Sequence, residues 1–322
     1  MHQGGFPHAL RPGRISLIGI PLEKGAGAMG TLMGPAALRT AGLVGRLADL
    51  GHEVVDHGDI LAPAPVMPAF SAEASGNCRH LGEITAWTRA IHQRAYAMAC
   101  EGGVPVFMGG DHSISMGTVS GIARRCAETG RELAVLWLDA HADFNTPATT
   151  PSGNMHGMSV AFLAGDRELA PILGDAAFPP IDPANIHLFG IRSLDRAERA
   201  ALIARGVDIV DMRQIDETSV ARQLAPRLEE LRRRNVHLHV SLDADFLDPS
   251  VAPGVGTAVP GGTTFREAHL VMEMIHDTGL LGSLDLVELN PFLDERGRTA
   301  NLVADLAASA FGLTTIGHRV GA

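Results

Sequence analysis

No run of apolar residues approaches the ~18 that a membrane-crossing helix requires, and only three cysteines, Cys78, Cys100 and Cys126, occur in 322 residues. Odd in number and widely separated, they exclude a disulfide framework and a CxxC metal clip and point to a reducing, cytoplasmic setting. Basic charge is also scarce. Lys and Arg total 26 against 36 Asp and Glu, and the formal net charge of −10 disfavours nucleic acid and anionic membrane as partners. Met1–Arg14 carries four Gly and Pro between positions 4 and 12 but no apolar core, so it does not read as a secretory leader. Neither a fixed-period repeat nor a polar linker interrupts the chain, and residues 1–322 read as one domain. What is present is ordinary globular material, 46% hydrophobic and 19% charged, with 37 Gly and 19 Pro.

Short β-rich apolar runs recur at Ile15–Ile20, Glu53–Asp56, Val104–Met108, Leu133–Leu138, Asn185–Gly190, Val207–Asp211, Val236–Leu242 and Leu284–Leu289. Between them lie stretches with apolar residues three and four apart, as helices require: Pro35–Leu50, Leu81–Cys100, Ser113–Cys126, Ala197–Arg205, Val220–Arg234, Phe265–Asp277 and Asn301–Phe311. This alternation predicts an α/β fold with a mainly parallel sheet of about eight strands covered on both faces. The longest irregular stretches are Leu61–Asn77, Asn145–Met158 and Pro249–Thr263, and the last two directly follow dense polar motifs.

Ligands in such folds bind beyond the carboxyl ends of the strands, so polar residues there carry the most information. Val104–Met108 runs into Gly109-Gly110-Asp111-His112-Ser113, Leu133–Leu138 into Asp139-Ala140-His141-Ala142-Asp143, and Val236–Leu242 into Asp243-Ala244-Asp245, while the last strand reaches Glu288. Residues two apart share a face of an extended segment, so Asp139, His141 and Asp143 point together, as do Asp243 and Asp245. Carboxylates crowded in this way repel one another unless cations lie among them. His112, Asp139, His141, Asp143, Asp243 and Asp245 therefore form a metal-ligand inventory. Its formal charge of about −4 matches two divalent ions, and Asp139 and Asp243 at the strand tips are the natural bridges. Oxygen-rich ligands with two His and no Cys favour Mn²⁺ over a thiolate-type zinc site, with Fe, Co, Ni and Zn as the alternatives. Two ions ~3.5–4 Å apart share a water, lower its pKa and aim it at an electrophile, with Asp143 placed to accept a hydrogen bond from it. Asp111 and Asp248 read as supporting or turn residues, and His237 and His239 as packing or hydrogen-bonding residues of a strand interior.

Gly25-Ala26-Gly27-Ala28-Met29-Gly30 matches GxGxxG after a strand, the signature of dinucleotide binding. Pro21–Lys24 separates it from the strand, however, and Gly34-Pro35 delays the helix, so a pyrophosphate would not meet a helix N-terminus. A loop beside the site is the better reading. Arg232-Arg233-Arg234 closes a helix, where basic charge complements the dipole.

GGDHS, DAHAD and SLDAD resemble the three metal-binding motifs of the ureohydrolase (arginase) family, and the resemblance covers nearly the whole chain. Further matches are Asn145-Thr146-Pro147, Ser152-Gly153-Asn154-Met155-His156-Gly157, Gly190–Asp195, Ala252–Thr257 and Val287–Pro291. The resemblance implies a three-layer α/β/α sandwich, two Mn²⁺ per chain, hydrolysis of L-arginine to L-ornithine and urea, and a homotrimer or homohexamer. By motif position it assigns His156 to proton transfer and Glu288 to the guanidinium. Asn145, Ser152, Asn154 and Asp195 fall to the α-carboxylate and α-amino groups, with Glu198 and Thr257 as further substrate contacts. Relatives such as agmatinase or a guanidinobutyrase share the metal centre but act on substrates without the α-carboxylate. The Ser, Thr and Asn cluster from Asn145 to His156, with its SGN sequence, resembles the arginine-specific members. The remaining alternatives are a dinucleotide-dependent oxidoreductase using the glycine loop and a noncatalytic scaffold retaining the fold.

Overall fold

A computed structural model describes residues 13–174, 176 and 178–314. Residues 1–12, on which the reading of the amino-terminal segment rests, lie outside the described residues. Eight parallel strands form one sheet: β1 (Arg14–Ile20), β2 (Glu53–Asp59), β3 (Val104–Gly109), β4 (Leu133–Leu138), β5 (Ile186–Ile191), β6 (Asp208–Asp211), β7 (His237–Asp243) and β8 (Leu281–Val287). Their spatial order is β2-β1-β3-β8-β7-β4-β5-β6. The helices are α1 (Gly34–Thr40), α2 (Leu43–Asp49), α3 (Ala72–Gly76), α4 (Leu81–Glu101), α5 (Ile114–Thr129), α6 (Ser159–Leu163), α7 (Arg196–Arg205), α8 (Met212–Glu217), α9 (Val220–Arg234), α10 (Phe265–Thr278) and α11 (Arg298–Ala310).

The sheet is a sandwich filling because its strands are apolar on both faces. In β4, Ala134, Leu136 and Leu138 join one core with α1, α2, α9, α10 and α11, while Leu133, Val135 and Trp137 join the other with α4 and α5. Helix α9 shows why the helices lie down: Val220, Leu224, Leu228 and Leu231 are buried at spacings of three and four, with arginines closing the last turn. Strands β7 and β8 depart from this rule. They give Leu238, Val240, Leu242, Leu284 and Leu286 to the first core. Toward α5 they bury His239, Ser241, Ser283 and Asp285 instead.

All eight expected strands are present within a few residues, and two boundaries need correction. The expected helix Pro35–Leu50 is two helices, because Gly42 adopts φ 80° between them. The last strand runs over Leu281–Val287 rather than Leu284–Leu289, because Glu288 has φ 60°, which breaks the extended ladder. Three short helices went unforeseen: α3, α6 and α8 are of five, five and six residues, too short for periodicity to register.

The strand order brings β3, β8, β7 and β4 side by side. All four loaded strand ends therefore open on one edge at the centre of the sheet. Close approach there depends on Gly110, where a Cβ would lie 1.8 Å from the Leu22 carbonyl oxygen. Gly110 donates its N–H to the carbonyl of Ile20 and accepts from the N–H of Glu288, tying β1 and β8 to the end of β3. Gly110→Ala is accordingly expected to cost about 3 kcal/mol through backbone displacement, read as a lower urea midpoint by circular dichroism; an unchanged midpoint would contradict this packing.

Candidate metal centre and substrate pocket

The end of β3 supplies His112, the end of β4 supplies Asp139, His141 and Asp143, and the end of β7 supplies Asp243 and Asp245. His112 Nδ1 lies 3.0 Å from Asp139 Oδ2, 3.2 Å from Asp143 Oδ2 and 3.0 Å from Asp243 Oδ2. His141 Nδ1 lies 3.1 Å from Asp245 Oδ2 and 3.5 Å from Asp139 Oδ1. Two groups thus present ligand atoms within metal-binding reach of one another, His112 with Asp139 and Asp243, and Asp139 with His141 and Asp245. Asp139 belongs to both, as its place at the strand tip predicts, whereas Asp243, expected to bridge as well, belongs only to the first. Asp143 joins the first group through its distance to His112, and its backbone sits at φ 50°. A left-handed conformation costs a non-glycine residue about 1–3 kcal/mol, and here it accompanies a carboxylate turned into the cluster.

The electrostatics of this cluster are unbalanced. Burial, followed by the charge of neighbouring aspartates, pushes Asp143 and Asp243 well above the usual carboxylate range and raises Asp245 as well. Asp139 is also buried, but His112 and His141 outweigh burial and hold it low. Burial works against the charged imidazoles too, yet the carboxylates lift His112 well above its ordinary value and His141 to about 12. Every shift but that of Asp139 favours more positive charge at the centre of the cluster. His112 Nδ1 is buried and makes no hydrogen bond although three carboxylates surround it. That arrangement fits a divalent cation among these donors.

Contacts with the protein hold these groups in place. The Trp137 ring stacks on His112 at 3.9 Å between centroids, and its Nε1–H donates to Asp139 Oδ2 at 2.9 Å. Ser241 Oγ lies 2.8 Å from His112 Nε2. Thr257 donates its hydroxyl to Asp245 Oδ2 at 2.9 Å. Arg192 donates to the carbonyls of Asp245 and Val259, at 2.6 and 2.8 Å from Nη2, and pins the loop that follows β7. Asp248 accepts from the N–H groups of Ser250, Gly261 and Gly262, the turn role expected of it. Asp111 accepts from the Gly25 N–H at 2.7 Å. The His156 N–H in turn donates to the Gly25 carbonyl, so the glycine-rich loop braces the site. A 3-10 turn, Thr31–Met33, intervenes before α1, so the loop does not lead directly into a helix N-terminus.

A pocket of about 160 Å³ adjoins the cluster, lined by its His141 and Asp143, by His156, and by Asn145, Thr150, Ser152, Asn154, Ser193, Asp195, Glu198 and Thr257. Asn145 donates to Asp195 Oδ2 at 3.0 Å and accepts from the Thr149 hydroxyl, so this wall is held by its own hydrogen bonds. Glu198, raised by burial, accepts the N–H groups of Phe144 and Asp195 and anchors the loop to α7. Glu288 is not among the residues lining the pocket. Its Oε1 lies 2.9 Å from His156 Nδ1 and accepts the His112 N–H at 2.8 Å, while the buried Oε2 has no hydrogen-bond partner. Its φ of 60° is a second left-handed non-glycine at the site. Sequence reasoning did not single out Trp137, Ser193, Thr150 or Arg192; only the position of Trp137 two residues before Asp139, on the same strand face, offered a signal.

A parallel α/β sheet that gathers two carboxylate–imidazole groups at adjacent strand ends, beside a pocket walled by amides and hydroxyls, defines a hydrolase of the metal-dependent kind. The chain belongs to the arginase family, whose model (Arginase family) matches residues 13–312. It is similar to the arginase of Agrobacterium fabrum strain C58, 52% identical over 296 residues that span 92% of this chain and 90% of that one. The native arginase structure from Bacillus caldovelox at pH 5.6 matches with a TM-score of 0.85 and 37% identity, covering 95% of this chain and 100% of the other. An arginase from Entamoeba histolytica in complex with L-ornithine matches at a TM-score of 0.80 and 26% identity, over 95% and 100% of the two chains.

Burial alone would lower the His156 pKa, but Glu288, Asp143 and Asp111 outweigh it and lift it from 6.5 to about 9. A raised basic group stabilises the fold fully below about 6.5, and that stabilisation is lost as pH climbs through about 9. In metal-depleted protein the urea midpoint is expected to fall between these pH values, and His156→Gln is expected to make the fall shallower, the raised His112 and His141 carrying the rest. Equal slopes for the two proteins would contradict the assignment.

Proposed function

We propose that the chain hydrolyses L-arginine to L-ornithine and urea with two Mn²⁺ held by His112, Asp139, His141, Asp143, Asp243 and Asp245. The observation that carries this reading is a single pocket whose lining joins two chemistries: Asp143, His141 and His156 of the cluster and its neighbourhood, and the amide, hydroxyl and carboxylate groups of Asn145, Ser152, Asn154 and Asp195. L-Arginine has matching ends, a planar cation and an amino-acid head. The L-ornithine named with the Entamoeba arginase accords with that head group. The three free cysteines accord with a reducing, cytoplasmic setting.

In this reading Asn145, Ser152 and Asn154 hold the α-carboxylate by neutral hydrogen bonds and Asp195 takes the α-amino group, with Thr257 and Glu198 keeping ligand and wall in place. Glu288 accepts from the guanidinium, either through the unpartnered Oε2 or by exchanging His156 at Oε1. That contact aligns the guanidinium carbon over the cluster and restricts it to a reactive orientation. When bound, the metal pair supplies Lewis acidity that activates water for attack on that carbon. His156, displaced from Glu288 by the substrate and facing the pocket, delivers a proton to the departing amine and recovers one from solvent. The neutral amine then leaves as ornithine.

With Mn²⁺ supplied, urea release from L-arginine should exceed that from agmatine or guanidinobutyrate by at least about 100-fold in kcat/KM, because unused polar wall groups penalise a substrate without the head. Preference for either analogue would remove the arginine assignment. Asp139→Asn should lose metal and activity together, whereas His156→Ala should retain metal and lose about 100-fold or more in kcat. Full metal occupancy in the first variant, or metal loss in the second, would contradict these roles.

A further inference from the structure

Behind the cluster, the α5-facing sides of β7 and β8 carry a buried polar seam that the reaction above does not use. Asp285 stands at its centre with no solvent exposure. Its Oδ2 accepts the hydroxyls of Ser115 at 2.6 Å and Thr118 at 2.8 Å, and His239 Nε2 lies 3.3 Å away. Ser115 Oγ is 3.4 Å from Ser241 Oγ, which is 2.8 Å from His112 Nε2. All five of these partners are fully buried or nearly so.

The direction of these bonds follows from counting protons. Ser115 has one hydroxyl proton and gives it to Asp285, an acceptor. It can therefore only accept from Ser241, whose single proton is then spent. Ser241 must accept from His112, so His112 carries its proton on Nε2 and leaves the Nδ1 lone pair facing Asp139, Asp143 and Asp243. A metal-binding imidazole needs that tautomer, and a partner on the opposite nitrogen usually sets it.

We infer that Asp285 is a positioning residue: through Ser115 and Ser241 it fixes the tautomer and orientation of His112, and so the metal affinity of the His112 half of the cluster. This rests on the reading that the cluster holds two ions. Thr118 provides an internal control, since it bonds the same carboxylate but lies off the path to His112.

The test is titration of metal-depleted protein with Mn²⁺ by calorimetry, repeated with Co²⁺, whose visible spectrum reports coordination at each site. Asp285→Asn and Ser115→Ala should each weaken one of two binding events by about 10- to 100-fold and leave the other within a few-fold. Thr118→Val should leave both unchanged, and Ser115→Thr, which restores the hydroxyl, should recover the wild-type isotherm. Should Asp285→Asn fail to fold, Ser115→Ala decides the matter, as its deletion removes one hydroxyl. Wild-type isotherms for Ser115→Ala, or an equal loss in Thr118→Val, would overturn the inference. A wild-type protein that binds no divalent metal would instead overturn the metal-dependent reading itself.

Discussion

Four buried aspartates crowd against two histidines at the strand ends, and the mutual repulsion of those carboxylates is the constraint on which the rest of the molecule depends. Only Asp139 is held low by its neighbours; burial drives Asp143, Asp243 and Asp245 upward. The cluster is assembled at a cost in solvation that a stabilising core must offset. The two apolar layers and the all-parallel sheet supply that scaffold, and the order β3-β8-β7-β4 brings the relevant strand ends together. Left-handed backbone at Asp143 and Glu288 belongs to the same bargain: local strain is tolerated where it aims a carboxylate.

Support for the cluster extends well into the protein. Trp137, Ser241, Thr257 and Arg192 each touch a member of the candidate ligand set or the backbone that carries it. Asp111 and the glycine-rich loop form a second brace, from Gly25 to the backbone of His156. Chemistry at the surface of the pocket thus depends on hydrogen bonds made behind it, those of the polar seam beneath α5 among them.

Much of this was legible in the sequence, for identifiable reasons. Period-2 spacing put Asp139, His141 and Asp143 on one face, and the strand–polar-turn pattern located all four loaded ends. The alternation of apolar runs predicted each strand. Contacts between segments distant along the chain were not legible: the pairing of Arg192 with the carbonyl of Asp245, or of Ser115 with Asp285 at a separation of 170 residues, leaves no local trace. The break at Gly42 and the early start of β8 were missed because periodicity reports an element more firmly than its ends. Glu288 was placed at its strand end by reading and given its partner only by geometry.

The most direct test of the central claim is anomalous diffraction at the manganese edge from crystals grown with Mn²⁺. Two peaks about 3.5–4 Å apart, with Asp139 between them and His112 and His141 on opposite sides, are the expected result. A single peak, or a pair held by other side chains, would contradict the account.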